Sequence, residues 1–257
     1  MASDVFVWYT YVMVSPIRLQ NKAAFKAALA DYHMSEHAQK VLRYSKLVVL
    51  SGIAGGGRNS TINYLVEKHG YFFMVSDTTR PPKLRDGFME INGVNYHFRS
   101  EEDILRDIQD GEFVEAEVIH NQQVSGTSIR ELERANKTGK ITIHEAEFGG
   151  VQFIANAKPD AHIIGLLPPS YDEWLNRLRG REVMHEDELL NRLRTAEKVL
   201  LSMLGEPYFK FVVNETIAEC AETIRQIVEF GNVSETDQLY ARGVAEDILR
   251  QVSARLE

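Results

Sequence analysis

The amino-acid sequence predicts a three-layer α/β sandwich, with helices on both faces of a parallel sheet, on three observations. Short β-branched apolar runs at residues 46–51 (KLVVLS), 140–144 (KITIH), 161–167 (AHIIGLL) and 209–213 (FKFVV) alternate with longer stretches of helical periodicity, the pattern of strands joined by crossover helices. The first run is compact and apolar on successive residues from Leu47 to Leu50, as a strand covered on both faces is. The first run ends in a glycine-rich turn over 52–57 that leads into a helical pattern over 60–69, a buried strand, a turn and a helix.

Composition bounds the class. With 257 residues, 44% hydrophobic and 26% charged, the chain can bury a core, and disorder, collagen and coiled-coil rods are excluded. A net charge of −8 argues against a dedicated nucleic-acid binder, which needs a cationic surface to displace counterions. The single cysteine, Cys220, cannot close an intramolecular disulfide, which points to a reducing, cytoplasmic setting. The apolar run at 5–14 (VFVWYTYVMV) is about half the length of a membrane span and lacks the flanks of a signal peptide, so no membrane partner is expected.

The elements follow in order. Residues 1–45 form an N-terminal extension, a β-rich patch and then one helical stretch over 21–44, whose Ala24, Phe25, Ala28, Leu29 and Tyr32 recur at helical spacing. The α/β core occupies 46–230. Within it, residues 72–127 change to short, turn-rich segments, the mark of an inserted subdomain, and 171–204 read as helical. Residues 231–257 form a C-terminal helix that opens on a capping-box-like Ser-Glu-Thr-Asp. Its stripe of Tyr240, Ala241, Val244, Ala245, Ile248, Leu249, Val252 and Leu256 packs on its own domain or on a second copy of the chain.

The glycine turn carries chemistry. Successive backbone N–H groups and a helix N-terminus make an anion site, and glycines let phosphates approach the backbone. Gly52, Gly55, Gly56 and Gly57 have the spacing of a phosphate-binding P-loop, but Arg58 stands where lysine is expected and Asn59 where a metal-side hydroxyl is expected. A slip of one residue makes Ser60 the hydroxyl. Arginine keeps the charge with a broader, planar head. By itself the turn reads as a phosphate site or as a structural glycine turn. Farther along, Glu145 and Glu147 stand two apart at the end of a strand, where alternation places both carboxylates on one face.

The segments VSDTTRPP (75–82), NYHF (95–98), GEFVEAE (111–117), SGTS (125–128), LLPPS (166–170), RLRGR (177–181), NRL (191–193) and VVN (212–214), in this order and spacing, resemble the guanylate kinase family across residues 46–229. The resemblance implies a P-loop NTPase core, a GMP-binding insert over about 74–139, a helical lid over about 176–193, and transfer of the γ-phosphoryl of ATP to GMP with Mg²⁺ as cofactor.

It also implies roles residue by residue. Glu115 matches the carboxylate that accepts the guanine N1–H and N2–H₂ donors, Thr127 the hydroxyl at O6, and Glu147 a further guanine contact. Ser76, Arg80 and Tyr96 match acceptor-site residues, the last two at the GMP phosphate. The second phosphate arginine of the family falls on Lys83, but the loop from 80 to 96 is about four residues longer than in typical relatives, which makes Arg85 the alternative. Arg58, Arg177, Arg181 and Arg192 match the cations that neutralise the transferring phosphoryl, with Asn59, Ser60 and Glu145 on the metal side and Asn214 on the adenine side. Ser125 replaces a tyrosine and Glu182 a glycine of the family pattern. His144 carries no family role and reads as a structural histidine. Against this reading stand a catalytically degenerate binding module, because both functional side chains of the loop are replaced, and a nucleoside monophosphate kinase of altered specificity. ATP and GMP are the expected ligands, with the terminal extensions as the place for contact between copies.

Overall fold

The computed structural model describes residues 19–85, 87–119, 121–180 and 185–257. The apolar run at 5–14 and two residues of the expected lid, Arg181 and Glu182, lie outside them.

Two helices open the described chain, α1 (Lys22–Ala30) and α2 (Glu36–Arg43), where the periodicity predicts one. The break has a local cause: the Ser35 backbone leaves the helical region and its hydroxyl accepts from Ala38 N, starting a new helix. Then follow β1 (Leu47–Gly52), α3 (Arg58–His69), β2 (Phe72–Phe73), β3 (Asp77–Thr78), β4 (Leu84–Arg85), β5 (Phe88–Met89), β6 (His97–Phe98), α4 (Glu101–Gln109), β7 (Phe113–Ile119), β8 (Gln123–Ser128) and α5 (Ile129–Lys137). The second half runs β9 (Thr142–Glu145), α6 (Phe148–Ala157), β10 (His162–Leu167), α7 (Tyr171–Arg179), α8 (Glu186–Gly205), β11 (Phe209–Val213), α9 (Ile217–Phe230) and α10 (Glu235–Leu256). The helical stretch predicted over 171–204 is thus two helices, α7 ending against Gly180.

The central sheet has the order β11-β10-β1-β9-β2, parallel throughout. The four apolar runs supply four of its strands; β2, two residues long, is the one not anticipated. β1 is buried along its whole length, with Val49 facing one apolar layer and Val48 and Leu50 the other. That is why its sequence is continuously apolar. A second sheet, β6-β3-β8-β7, and the hairpin β4–β5 form the insert between β2 and β9.

The apolar stripe of α10 faces inward. Ala241, Ala245, Ile248 and Val252 are buried in the main core, beside Leu193, Leu200 and Met203 of α8, whereas Tyr240 is exposed. The predicted stripe therefore packs on its own domain. Cys220 is buried on α9, and burial pushes its thiol up to about 12. Among the described residues no helix is long and apolar enough to cross a membrane.

Candidate active site

The strand β1 ends on Gly52, and the chain passes through the turn to α3. Gly57 is the N-cap of that helix, with φ of 99° and no side-chain cap. The first-turn N–H groups are left without a protein side-chain acceptor, at the positive end of the helix. The turn is fastened from outside. Asn214 Nδ2 donates to Gly56 O (2.9 Å), Trp174 Nε1 to Ala54 O (2.7 Å), and Arg177 Nη2 to Asn214 O (3.1 Å). Asn214 thus meets the glycine turn directly and Arg177 through Asn214, by backbone bonds that set the shape of the turn.

Gly57 is required on two counts: its left-handed φ and its neighbour, since a Cβ there would lie 2.0 Å from Asn214 Nδ2. Gly57→Ala is expected to cost about 2 kcal/mol from strain and the lost Asn214 bond. This would appear in calorimetry as a fall in Tm of about 4–8 °C for a protein of this size; an unchanged Tm would contradict the packing described.

Arg58 is the first residue of α3. Its side chain is 13% exposed, with Nη2 3.3 Å from Glu145 Oε1 and Nη1 4.0 Å from Glu147 Oε1. Nη1 is buried and makes no hydrogen bond. A buried guanidinium N–H without an acceptor is costly, and Arg58 borders a cavity of about 280 Å³ that Gly52, Ala54, Glu147, Glu188 and Arg192 also line. Arg192 is held by Glu188, one turn before it, at 2.7 Å. Arg177 is likewise paired with Glu173 at 2.8 Å. These two arginines are therefore ion-paired along their own helices, and Arg192 reaches the same cavity as Arg58.

A second cavity, about 380 Å³, lies between the glycine turn and the inserted sheet, and Asn59, Ser76, Tyr96, Glu115, Glu145 and Glu147 are among its lining residues. Six of the expected residues thus meet in one space, and Glu147 lines both cavities. Ser60 is exposed and lines neither.

Glu115 and Thr127 face each other across β7 and β8. Beneath them sits His144, 1% exposed, with Nε2 3.3 Å from Glu115 Oε1 and its ring nitrogens 3.3 and 3.4 Å from Thr127 Oγ1. Thr127 Oγ1 in turn lies 3.3 Å from Ser76 Oγ. His144 is thus no isolated core histidine: it joins the end of the central sheet to both residues expected to read guanine. A polar residue inside a buried strand, one position before Glu145, is the signal that points to it. Gly150 supplies the clearance for Glu115, since a Cβ there would lie 3.0 Å from Glu115 Oε2. Glu117, also lining this cavity, is two residues beyond Glu115, and period-two alternation along the strand identifies it.

Arg80 is placed otherwise than expected. It is 4% exposed and its Nη1 and Nη2 donate to the two carboxylate oxygens of Glu90, at 2.5 and 2.9 Å. That bond, the largest effect on the group, raises its pKa further. Its guanidinium lies 4.6 Å from the centroid of the Tyr96 ring, and through that ring it borders the second cavity. Glu90 follows the β4–β5 hairpin, the longer loop seen in the sequence, and also accepts from Lys83 N at 2.9 Å. Lys83 is exposed and Arg85 lies on β4. Ser125, in place of a tyrosine, bonds within the sheet to Thr78 Oγ1 at 2.9 Å.

Comparison with known proteins places the fold in a family. Residues 44–230 match the family model described as guanylate kinase. The guanylate kinase of Sulfurimonas denitrificans is 33% identical over 189 residues, 73% of this chain and 88% of that one. That of Rhodococcus jostii is 33% identical over 203 residues, 78% and 95% of the two chains. The solved guanylate kinase from Anaplasma phagocytophilum shares the fold, with a TM-score of 0.51 at 24% identity over 79% of this chain and 94% of that chain. With a family match that spans the core from before β1 to the end of α9, around a glycine turn and two cavities that share Glu147, the chain belongs to the guanylate kinase family.

Proposed function

We propose that this chain transfers the γ-phosphoryl of ATP to GMP, giving ADP and GDP. The observation that carries the reading is the shared wall: Glu147 lines both the cavity at the glycine turn and the cavity of Glu115 and Tyr96. Donor phosphates on the turn and an acceptor in the second cavity would be separated by the width of one side chain.

Phosphoryl transfer asks a protein for positioning and charge neutralisation more than for covalent chemistry. The amides of the glycine turn and the α3 N-terminus hold the donor phosphates. The Nη1 of Arg58, which lacks a hydrogen-bond acceptor, is satisfied by an anion, and Arg177, Arg181 and Arg192 add charge as the lid closes and water is excluded. On the acceptor side, Glu115 accepts from two adjacent guanine donors, and Thr127, held between His144 and Ser76, offers a hydroxyl to O6. The acceptor phosphate is met by Tyr96, which Arg80 backs through its ring, and by a cation of the hairpin segment, Lys83 or Arg85. Asn59 and Glu145 line the same cavity and offer hard oxygen donors, a set that suits Mg²⁺ together with nucleotide phosphates. When bound, the ion draws charge from the phosphate oxygens.

The Arg58–Glu145 pair favours a second reading, a nucleotide-binding module without transfer, because it holds the cation on the protein. One assay separates the two. The purified protein is incubated with ATP, Mg²⁺ and each of GMP, AMP, CMP and UMP, and diphosphate formation is followed. GDP formation that exceeds every other product is expected; GMP binding without turnover would leave only the module.

A further inference from the structure

Residues before position 44 fall outside the family match, yet those described are built into both halves of the molecule. On the insert side, Glu101 at the start of α4 accepts from Gln20 N and Asn21 N at 3.0 and 2.8 Å. Phe25 is fully buried with Ile104, Ile108 and Phe113. On the core side, Ala38 and Leu42 are fully buried in the main cluster with Val49, Val114 and Leu132. Lys158 Nζ, just past α6, donates to Arg43 O at 3.1 Å, and Asn136 Nδ2 of α5, where the insert rejoins the core, donates to Val41 O at 3.2 Å.

The two sets of contacts converge on one point of β7. That strand is the edge of its sheet, and its register shifts between Phe113 and Glu115. Such a bulge turns successive residues to new directions. Phe113 here enters the insert cluster with Phe25, and Val114 the main core with Leu42. An edge strand leaves outward N–H and C=O groups that need partners when covered. At Phe113 one side chain serves both: the Tyr32 hydroxyl donates to Phe113 O and accepts from Phe113 N at 2.9 Å. Burial pushes the Tyr32 hydroxyl up to about 12. Two residues further on is Glu115.

We infer that the segment from Leu19 to Arg43 is a brace that fixes the acceptor-binding insert against the central sheet, and that Tyr32 is the positioning residue through which it sets the place of Glu115. The inference rests on GMP as acceptor. Tyr32 acts by holding the bulge from which the carboxylate projects, and removal of its hydroxyl frees both backbone groups of Phe113 at once. Loss of a few tenths of an ångström in such a site is felt as affinity for the base.

The test is Tyr32→Phe, with GMP affinity measured by calorimetric titration in the absence of ATP, ATP affinity measured in parallel, and backbone amide exchange followed across β7. Expected are a roughly tenfold weaker Kd for GMP, an unchanged Kd for ATP, and faster exchange over 113–119. A lowered Tm with GMP affinity unchanged would make Tyr32 a structural residue only and overturn the brace. A parent protein that binds no GMP would instead overturn the acceptor assignment, and the inference with it, so the two failures are told apart by the parent measurement. Circular dichroism of the variant confirms that the fold is retained, and Phe25→Leu, which thins the same contact without touching β7 hydrogen bonds, should weaken GMP in the same direction by a smaller factor.

Discussion

Arg58→Ala is expected to lower kcat for GDP formation by about 10²–10³, the range found when one preorganised donor to a developing anion is removed. The side chain is the first of α3, beside the glycine turn, with a buried Nη1 that has no hydrogen-bond acceptor among the described residues. A phosphate oxygen is the group that would complete it. Its other nitrogen rests 3.3 Å from Glu145, so the charge is held ready and partly neutralised. ATP would replace that carboxylate as partner. Arg58→Lys keeps the charge on a narrower stem and should retain turnover within about tenfold of the parent. Single-turnover kinetics with saturating ATP and GMP check both variants; an Arg58→Ala protein with parental kcat would show that Arg58 only pins Glu145 and Glu147. Because Arg58 lies at a helix start and is mostly buried, thermal melts of each variant separate a loss of chemistry from a loss of fold.

Glu115→Gln is expected to lower kcat/KM for GMP by about 100-fold, about 2.7 kcal/mol, while the Kd for ATP stays at the parental value. The carboxylate is largely enclosed, 13% exposed, and is backed by His144 at 3.3 Å. Two adjacent guanine donors need two acceptors; glutamine replaces one acceptor with an NH₂ that opposes a donor. Desolvated donors without a partner carry the full cost of their lost water. The same substitution should narrow the margin by which GMP is preferred to AMP, since the discriminating charge is gone. Steady-state kinetics with each monophosphate give the answer. An equal loss of GMP and ATP affinity would mean that Glu115 supports the fold at the sheet junction and that the base is read elsewhere.

Much of this architecture is legible in the residues, for definite reasons. The strands β1 and β10 are continuous apolar runs over 47–50 and 163–167 because both of their faces are covered, which leaves no polar alternation to confuse the pattern. The glycine turn is legible because close approach and left-handed φ admit few other residues: Gly52, Gly55 and Gly57 all have positive φ. Glu145 and Glu147 are legible as a pair two residues apart, and although Glu145 ends β9 and Glu147 caps α6, both line the second cavity.

Other features depend on partners far away in the chain. The sequence shows Arg80 as a cation after a threonine pair, but whether its fork meets a ligand or Glu90 is decided by how the β4–β5 hairpin folds back, over a segment whose apolar residues Leu84, Phe88 and Met89 are exposed and anchor nothing. The break between α1 and α2 turns on one serine hydroxyl, a local signal weaker than the periodicity that runs through it. The role of residues 19–43 is invisible in the sequence, since Tyr32 and Phe113 are eighty-one positions apart and neither is unusual in its own neighbourhood.

By itself, then, the sequence determined the layer architecture, the glycine turn between β1 and α3 and the set of chemical groups available to the site, because burial periodicity and glycine dihedrals are local properties written in adjacent residues. Only the tertiary structure decided which of those groups share a cavity, that Glu147 lines both cavities, that His144 lies beneath Glu115 and Thr127, and that the N-terminal helices close the edge of β7. These are distances between residues on different elements, and they follow from packing and hydrogen-bond satisfaction across the whole fold.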